Sequence, residues 1–153
     1  MTTQMDHAEI SMLVDHLFRA LDERKFTEDW ARDFLTDDVR METPLGTFQG
    51  TEAVHATEEA LGRYARTQHI ASGIVTGADA AAERATASWN ALMTHVHHDA
   101  TLTELGGSAD PLFTVGGRFE AGLRRTHDGW RFHHVAVRPI WTKGQPPLGV
   151  GAR

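Results

Sequence analysis

Ile10, Leu13, Val14, Leu17, Phe18 and Leu21 recur three or four residues apart near the start of the chain, which is the spacing of one helix face. The pattern predicts an amphipathic helix over residues 6–24, with Asp22 one turn beyond Phe18 at the edge of the apolar stripe. Thr27 followed by Glu28 and Asp29 has the composition of a helix start, so a short second helix is expected over 27–35, burying Trp30 and Phe34. A strand over 39–43 ends at Pro44 and Gly46. A third helix is expected from Thr51 to Tyr64, after Gly50.

Beyond residue 66 the period changes from helical to alternating. Strands are expected over 67–76, 83–97, 112–126 and 129–140, with hairpin turns at Gly77-Ala78-Asp79 and His127-Asp128-Gly129. Alternation puts Ala85, Ala87, Trp89, Ala91, Met93 and His95 on one face of the second of these strands. Residues 99–111, which include Gly106-Gly107-Ser108, read as a mobile loop, and Lys143 to Arg153 as a lid or a disordered tail. Helices ahead of long antiparallel strands give an α+β domain. Its curved, mostly antiparallel sheet forms a cone, with N-terminal helices packed over it and an internal pocket. All 153 residues are assigned to that one domain.

Composition narrows the possible roles. Apolar content of 41% and charged content of 24% suit a globular domain with a substantial core, and no apolar run is long enough to span a membrane. A formal charge of −6 with no basic stripe disfavours nucleic acid, which leaves a small organic molecule as the expected partner. No leader-like segment opens the chain, so a cytoplasmic location is expected. Cysteine is absent, which removes disulfides, thiolate nucleophiles and thiolate metal sites. Ser72, Ser88 and Ser108 sit in no nucleophile elbow, and Gly116-Gly117 is no phosphate loop. Chemistry is therefore sought among the ten histidines.

His69 shares its strand face with the small residues Ala71 and Gly73, an arrangement that leaves room beside the imidazole. Histidine holds or releases a proton near neutral pH, and a carboxylate on one ring nitrogen would make the other an oriented base. Asp22 is the candidate carboxylate; the alternative is a solvated Asp22 balanced by Arg19 and Lys25. His95 and His97 fall on one side of a strand, where both could reach one metal ion, but no carboxylate completes a ligand set by spacing. No metal and no cofactor are assigned. His97 and His98 otherwise read as a solvated strand end, and at most one of His133 and His134 can face inward. Arg118 and Glu120 read as surface partners across strands.

Several short segments carry a resemblance to a known family. They are Leu21-Asp22 with Asp29-Trp30, Phe34-Leu35-Thr36-Asp37-Asp38-Val39, Pro44-Leu45-Gly46 with Gly50, Thr67-Gln68-His69, and Asp128-Gly129-Trp130-Arg131-Phe132. From the first helix to Trp141 the chain resembles the SnoaL-like, scytalone dehydratase-like branch of the nuclear-transport-factor-like superfamily, with its cone-shaped α+β fold. The resemblance implies an Asp-His dyad at Asp22 and His69, with His95 near the register of a second catalytic histidine. It also implies self-association as a homodimer or homotrimer. The expected activity is that of a cofactor-free lyase, isomerase or cyclase, dehydratase-like or polyketide cyclase-like, acting on a small hydrophobic carbonyl or hydroxylated substrate. In it Asp22 orients His69 as base, His95 donates to the departing or enolising oxygen, and Trp89, Met93 and Phe119 form an apolar wall. A binding or oligomerisation protein without catalysis is the alternative. The family's tyrosine before the dyad Asp is Leu21 here, and the basic residues that assist chloride departure correspond to Leu17 and Val135.

Overall fold

The computed structural model describes residues 3–79, 81 and 83–149. Helix α1 (Gln4–Glu23) starts at Thr3, whose Oγ1 accepts from the Asp6 backbone N–H at 2.9 Å and donates to Asp6 Oδ2 at 2.7 Å. This satisfies donors that a helix start leaves open. The apolar stripe read from the spacing is the buried one: Ile10, Val14, Leu17, Phe18 and Leu21 all face the core. The helix closes on Arg24, a left-handed residue (φ 56°, ψ 32°) whose N–H bonds the Ala20 carbonyl.

A single 3-10 turn (Trp30–Asp33) leads into β1 (Leu35–Thr43), which pairs with β2 (Gly46–Gln49). Helix α2 (Thr51–Gly62) precedes the two long strands β3 (Tyr64–Asp79) and β4 (Arg84–His97). Helix α3 (Asp99–Leu105) then precedes β5 (Leu112–Thr126) and β6 (Gly129–Lys143). The six strands form one sheet in the order β2-β1-β6-β5-β4-β3, in which only the β1–β6 pair is parallel. The expected α+β class holds, with β3 as an edge strand and α1 packed chiefly against it. Trp89, Phe132, Leu123, Ile10, Val14 and Val39 are the deepest of the large side chains in the core between helix and sheet. Among the described residues, no helix is long and apolar enough to cross a membrane.

The structure differs from the sequence reading in several elements. The expected helix over 27–35 shrinks to the 3-10 turn, because Leu35 already begins β1; Trp30 and Phe34 are buried nonetheless. Tyr64 starts β3 and does not end a helix. Gly77, Ala78 and Asp79 are still paired, with Thr86, Ala85 and Arg84, so that hairpin turns after Asp79, where Ala80 and Ala82 lie outside the described residues. The expected mobile loop contains α3, which buries no side chain and so leaves no apolar period to read.

The tail, read as lid or disorder, is held in its described part. His97 Nε2–H donates to the Gln145 carbonyl at 2.8 Å, and Pro147 is buried. Gly144 makes this path possible: its φ is +90°, and a Cβ there would collide with the Leu112 carbonyl oxygen. Gly144→Ala is therefore expected to destabilise the tail junction by about 1–3 kcal/mol. The check is faster amide hydrogen exchange around Gln145 than in the unsubstituted chain.

Candidate active site

Asp22 ends the last turn of α1 and faces the open edge of β3. Its Oδ1 accepts from His69 Nδ1 at 2.6 Å and from Thr67 Oγ1 at 3.0 Å, while Oδ2 accepts from the His69 backbone N–H at 2.9 Å. An edge strand leaves such N–H groups unpaired, so this carboxylate closes a gap in the sheet as well as holding the ring. The alternative of a solvated Asp22 balanced by Arg19 and Lys25 is not the arrangement found, since the Asp22 side chain is 22% exposed and bonds Thr67 and His69.

Desolvation pushes the Asp22 carboxyl up, but the bonds from the His69 ring and backbone, the imidazole charge and Thr67 together hold it below the usual carboxylate range. An ionised carboxylate only accepts, so His69 Nδ1 carries the hydrogen. In the neutral ring the lone pair then lies on Nε2, for which no protein partner occurs among the described residues. The His69 side chain is only 5% exposed, with Phe18 beside it at a ring separation of 5.2 Å. It lines an open cleft of about 790 Å³ between α1 and the β3 edge, together with His16, Phe18, Arg19, Asp22 and Ala71.

His95 faces inward: Thr67 is its partner across the β3–β4 ladder, and its ring lies 6.1 Å from that of His69, edge to face. Its Nδ1–H donates to the Phe113 carbonyl at 2.8 Å. Burial pushes the imidazole down to about 4, assisted by the charges of His69, His97 and Arg24 and opposed by the Phe113 bond. A neutral ring with Nδ1–H engaged has only a lone pair on Nε2. At rest His95 is therefore an acceptor at Nε2; the donor role expected from the sequence would need that nitrogen protonated.

The expected apolar wall is placed elsewhere. Trp89, Met93 and Phe119 are 1%, 6% and 7% exposed, and Trp89 stacks on Phe119 at 5.2 Å. Phe18 from α1 packs edge-on against both rings, which turns the anticipated inner lining into core. The sequence reading missed Phe18 in this position, because at helical spacing it looks like any other core residue. It also missed Tyr64, whose ring lies 4.4 Å from that of His95 and whose phenol burial pushes up to about 12, so that it stays protonated.

His98 and His134 are engaged away from the dyad. His98 Nε2 bonds the Gly62 carbonyl, and His134 Nε2 bonds Glu42 at 2.9 Å. Among the described residues, no group of three or more His, Asp or Glu side chains is arranged to hold a metal ion. Arg118 bonds Asn90 across the strands while Glu120 pairs with Arg138, so they do not pair with each other.

A curved, mostly antiparallel sheet with helices packed over it defines a recognisable class of domain. The chain belongs to the SnoaL-like domain family, whose model matches residues 3–136. Among solved structures it is similar to the Kfla4162 protein of Kribbella flavida (TM-score 0.79, 23% identity, covering 92% of this chain and 94% of that one). It is also similar to the hexachlorocyclohexane dehydrochlorinase LinA-type3 of Novosphingobium barchaimii (0.74, 14%, 99% of each). A nuclear transport factor 2-like superfamily protein of Salmonella enterica matches at 0.71, with 16% identity over 99% of each chain. No curated protein matches the sequence.

The buried neutral His95 has a consequence for stability. Its folded-state value lies below the ordinary one, so its contribution is present above about pH 6.5 and is lost as the pH falls toward about 4. Thermal melts across that range should show the unsubstituted chain losing stability and His95→Gln losing less.

Proposed function

We propose that the protein is a cofactor-free lyase, isomerase or cyclase in which His69 removes a proton from carbon beside a carbonyl or hydroxyl group of a small hydrophobic substrate. The observation that carries this reading is the 2.6 Å bond from His69 Nδ1 to Asp22, which leaves Nε2 as the basic atom at the cleft. Asp22 fixes the tautomer and stabilises the imidazolium that forms when Nε2 takes the proton. Phe18 and the buried surroundings keep water from competing for that nitrogen. Support by likeness comes from the dehydrochlorinase neighbour, a protein named for an elimination reaction.

Self-association belongs to the same proposal. Ile70, Leu92 and Trp141 lie exposed in one row across the outer sheet face, with Trp141 over Gly116, and copies of a chain commonly cover such a surface. The alternative, a binding protein without catalysis, draws support from the filling of the inner aromatic wall by Phe18.

Thermal-shift screening with aromatic hydroxy-ketones, polyketide-like aromatics and steroids identifies ligands that stabilise the native state. With a turned-over substrate in hand, His69→Asn and Asp22→Asn should each lower kcat by about 10²- to 10⁴-fold while the melting transition remains cooperative. Both variants keeping full turnover would leave the binding-protein reading.

A further inference from the structure

Proton abstraction next to a carbonyl leaves negative charge on oxygen, and the dyad has nothing to offset it. His95 is neutral with a lone pair on Nε2, and the Tyr64 phenol carries no charge. Two arginines stand near the dyad: Arg19, which lines the cleft, and Arg24, two residues after the dyad aspartate, whose Nη1–H bonds the carbonyl of Tyr64, the residue whose ring packs on His95. The Arg24 charge acts on His95 and is itself acted on by that of Asp22.

Arg24 is held unusually for a half-buried arginine. Its Nη1–H donates to the Tyr64 carbonyl at 2.7 Å, but Nε and Nη2 are shielded from solvent with no hydrogen-bond partner. No carboxylate lies within ion-pair distance of it among the described residues. Asp22, the carboxylate whose charge reaches it, is already taken by three donors from β3. Leaving guanidinium N–H groups desolvated and unpaired is costly. The backbone adds to that cost, since Arg24 is one of only two non-glycine residues with positive φ among those described. Strain together with unpaired buried donors is characteristic of functional sites.

We propose that Arg24 is an anion-binding residue of this site, pairing with a carboxylate or enolate oxygen of the ligand. Its substrates are then small aromatic or alicyclic molecules bearing an anionic oxygen, and neutral hydrocarbons are excluded. The guanidinium gains a charged partner for its unpaired N–H groups and gives up at most the neutral Tyr64 carbonyl. The inference rests on the His69 reading in one respect, that the ligand sits at the same cleft.

Benzoate and benzamide are the probes: both are a flat ring with a planar head group, and only benzoate is charged. Titrations followed by calorimetry should show benzoate binding the unsubstituted chain roughly tenfold or more tightly than benzamide, about the worth of one charged hydrogen bond. Arg24→Gln should remove that preference with little change for benzamide, while Arg24→Lys should keep most of it. A chain that binds the two probes equally, or an Arg24→Gln variant that keeps the preference, would overturn the proposal. Should Arg24→Gln not fold, equal binding by Arg24→Lys and the absence of any salt effect on the benzoate titration would overturn it. The titration involves no turnover, so a catalytically irrelevant dyad would leave the benzoate preference intact. Loss of turnover in dyad variants without any such preference would sink the Arg24 assignment alone.

Discussion

The Asp22 carboxylate accepts three bonds from two residues of β3: the Thr67 hydroxyl, the His69 backbone N–H and the His69 ring. That contact fastens the C-terminal end of α1 to an edge strand and satisfies a backbone donor the sheet leaves open. It fixes the imidazole tautomer as well. A carboxylate at a helix C-terminus faces the negative end of the macrodipole, yet this one stays below its ordinary value because the β3 donors outweigh desolvation. The chemistry of the site and the closure of the sheet edge thus depend on one side chain.

The same helix decides where a ligand can go. Phe18 lies one turn before Asp22 and packs against Trp89 and Phe119 in the buried core. A cleft is open at the rim between α1 and β3, and His69 lines it. Tyr64 and His95 form a neutral aromatic flank, Arg19 lines the cleft, and Arg24 bonds the Tyr64 carbonyl. The arrangement concentrates base and cation at the edge and leaves apolar packing in the interior.

The long periodic elements were legible in the sequence, because packing against the core demands that period: the α1 stripe and the inward face of β4 from Ala85 to Met93 are buried as spacing predicts. The Asp22–His69 contact was only partly legible. Spacing placed each residue on an edge or face, but their meeting joins positions 47 apart in the chain, and a family resemblance was needed to suggest it. What sequence could not give was depth. Trp89 and Phe119 look alike as pocket wall or as core, and only the position of Phe18 distinguishes the two. Gly73 marks a further limit: its φ of +63° lies at a register shift in β3, after which Ile74, in place of the next alternating residue, packs on the core. The role of Arg24 was invisible because it comes from unpaired atoms and backbone strain, which no residue pattern encodes.

The dyad depends on Asp22 holding the His69 ring with hydrogen on Nδ1 and a lone pair on Nε2. Nitrogen-15 NMR of the imidazole at neutral pH measures this directly, since the two ring nitrogens resonate apart according to which is protonated. The expected result is the Nδ1–H form of His69 in the unsubstituted chain and a shift toward the Nε2–H form in Asp22→Asn. An Nε2–H tautomer in the unsubstituted chain, or one indifferent to the Asn substitution, would contradict it.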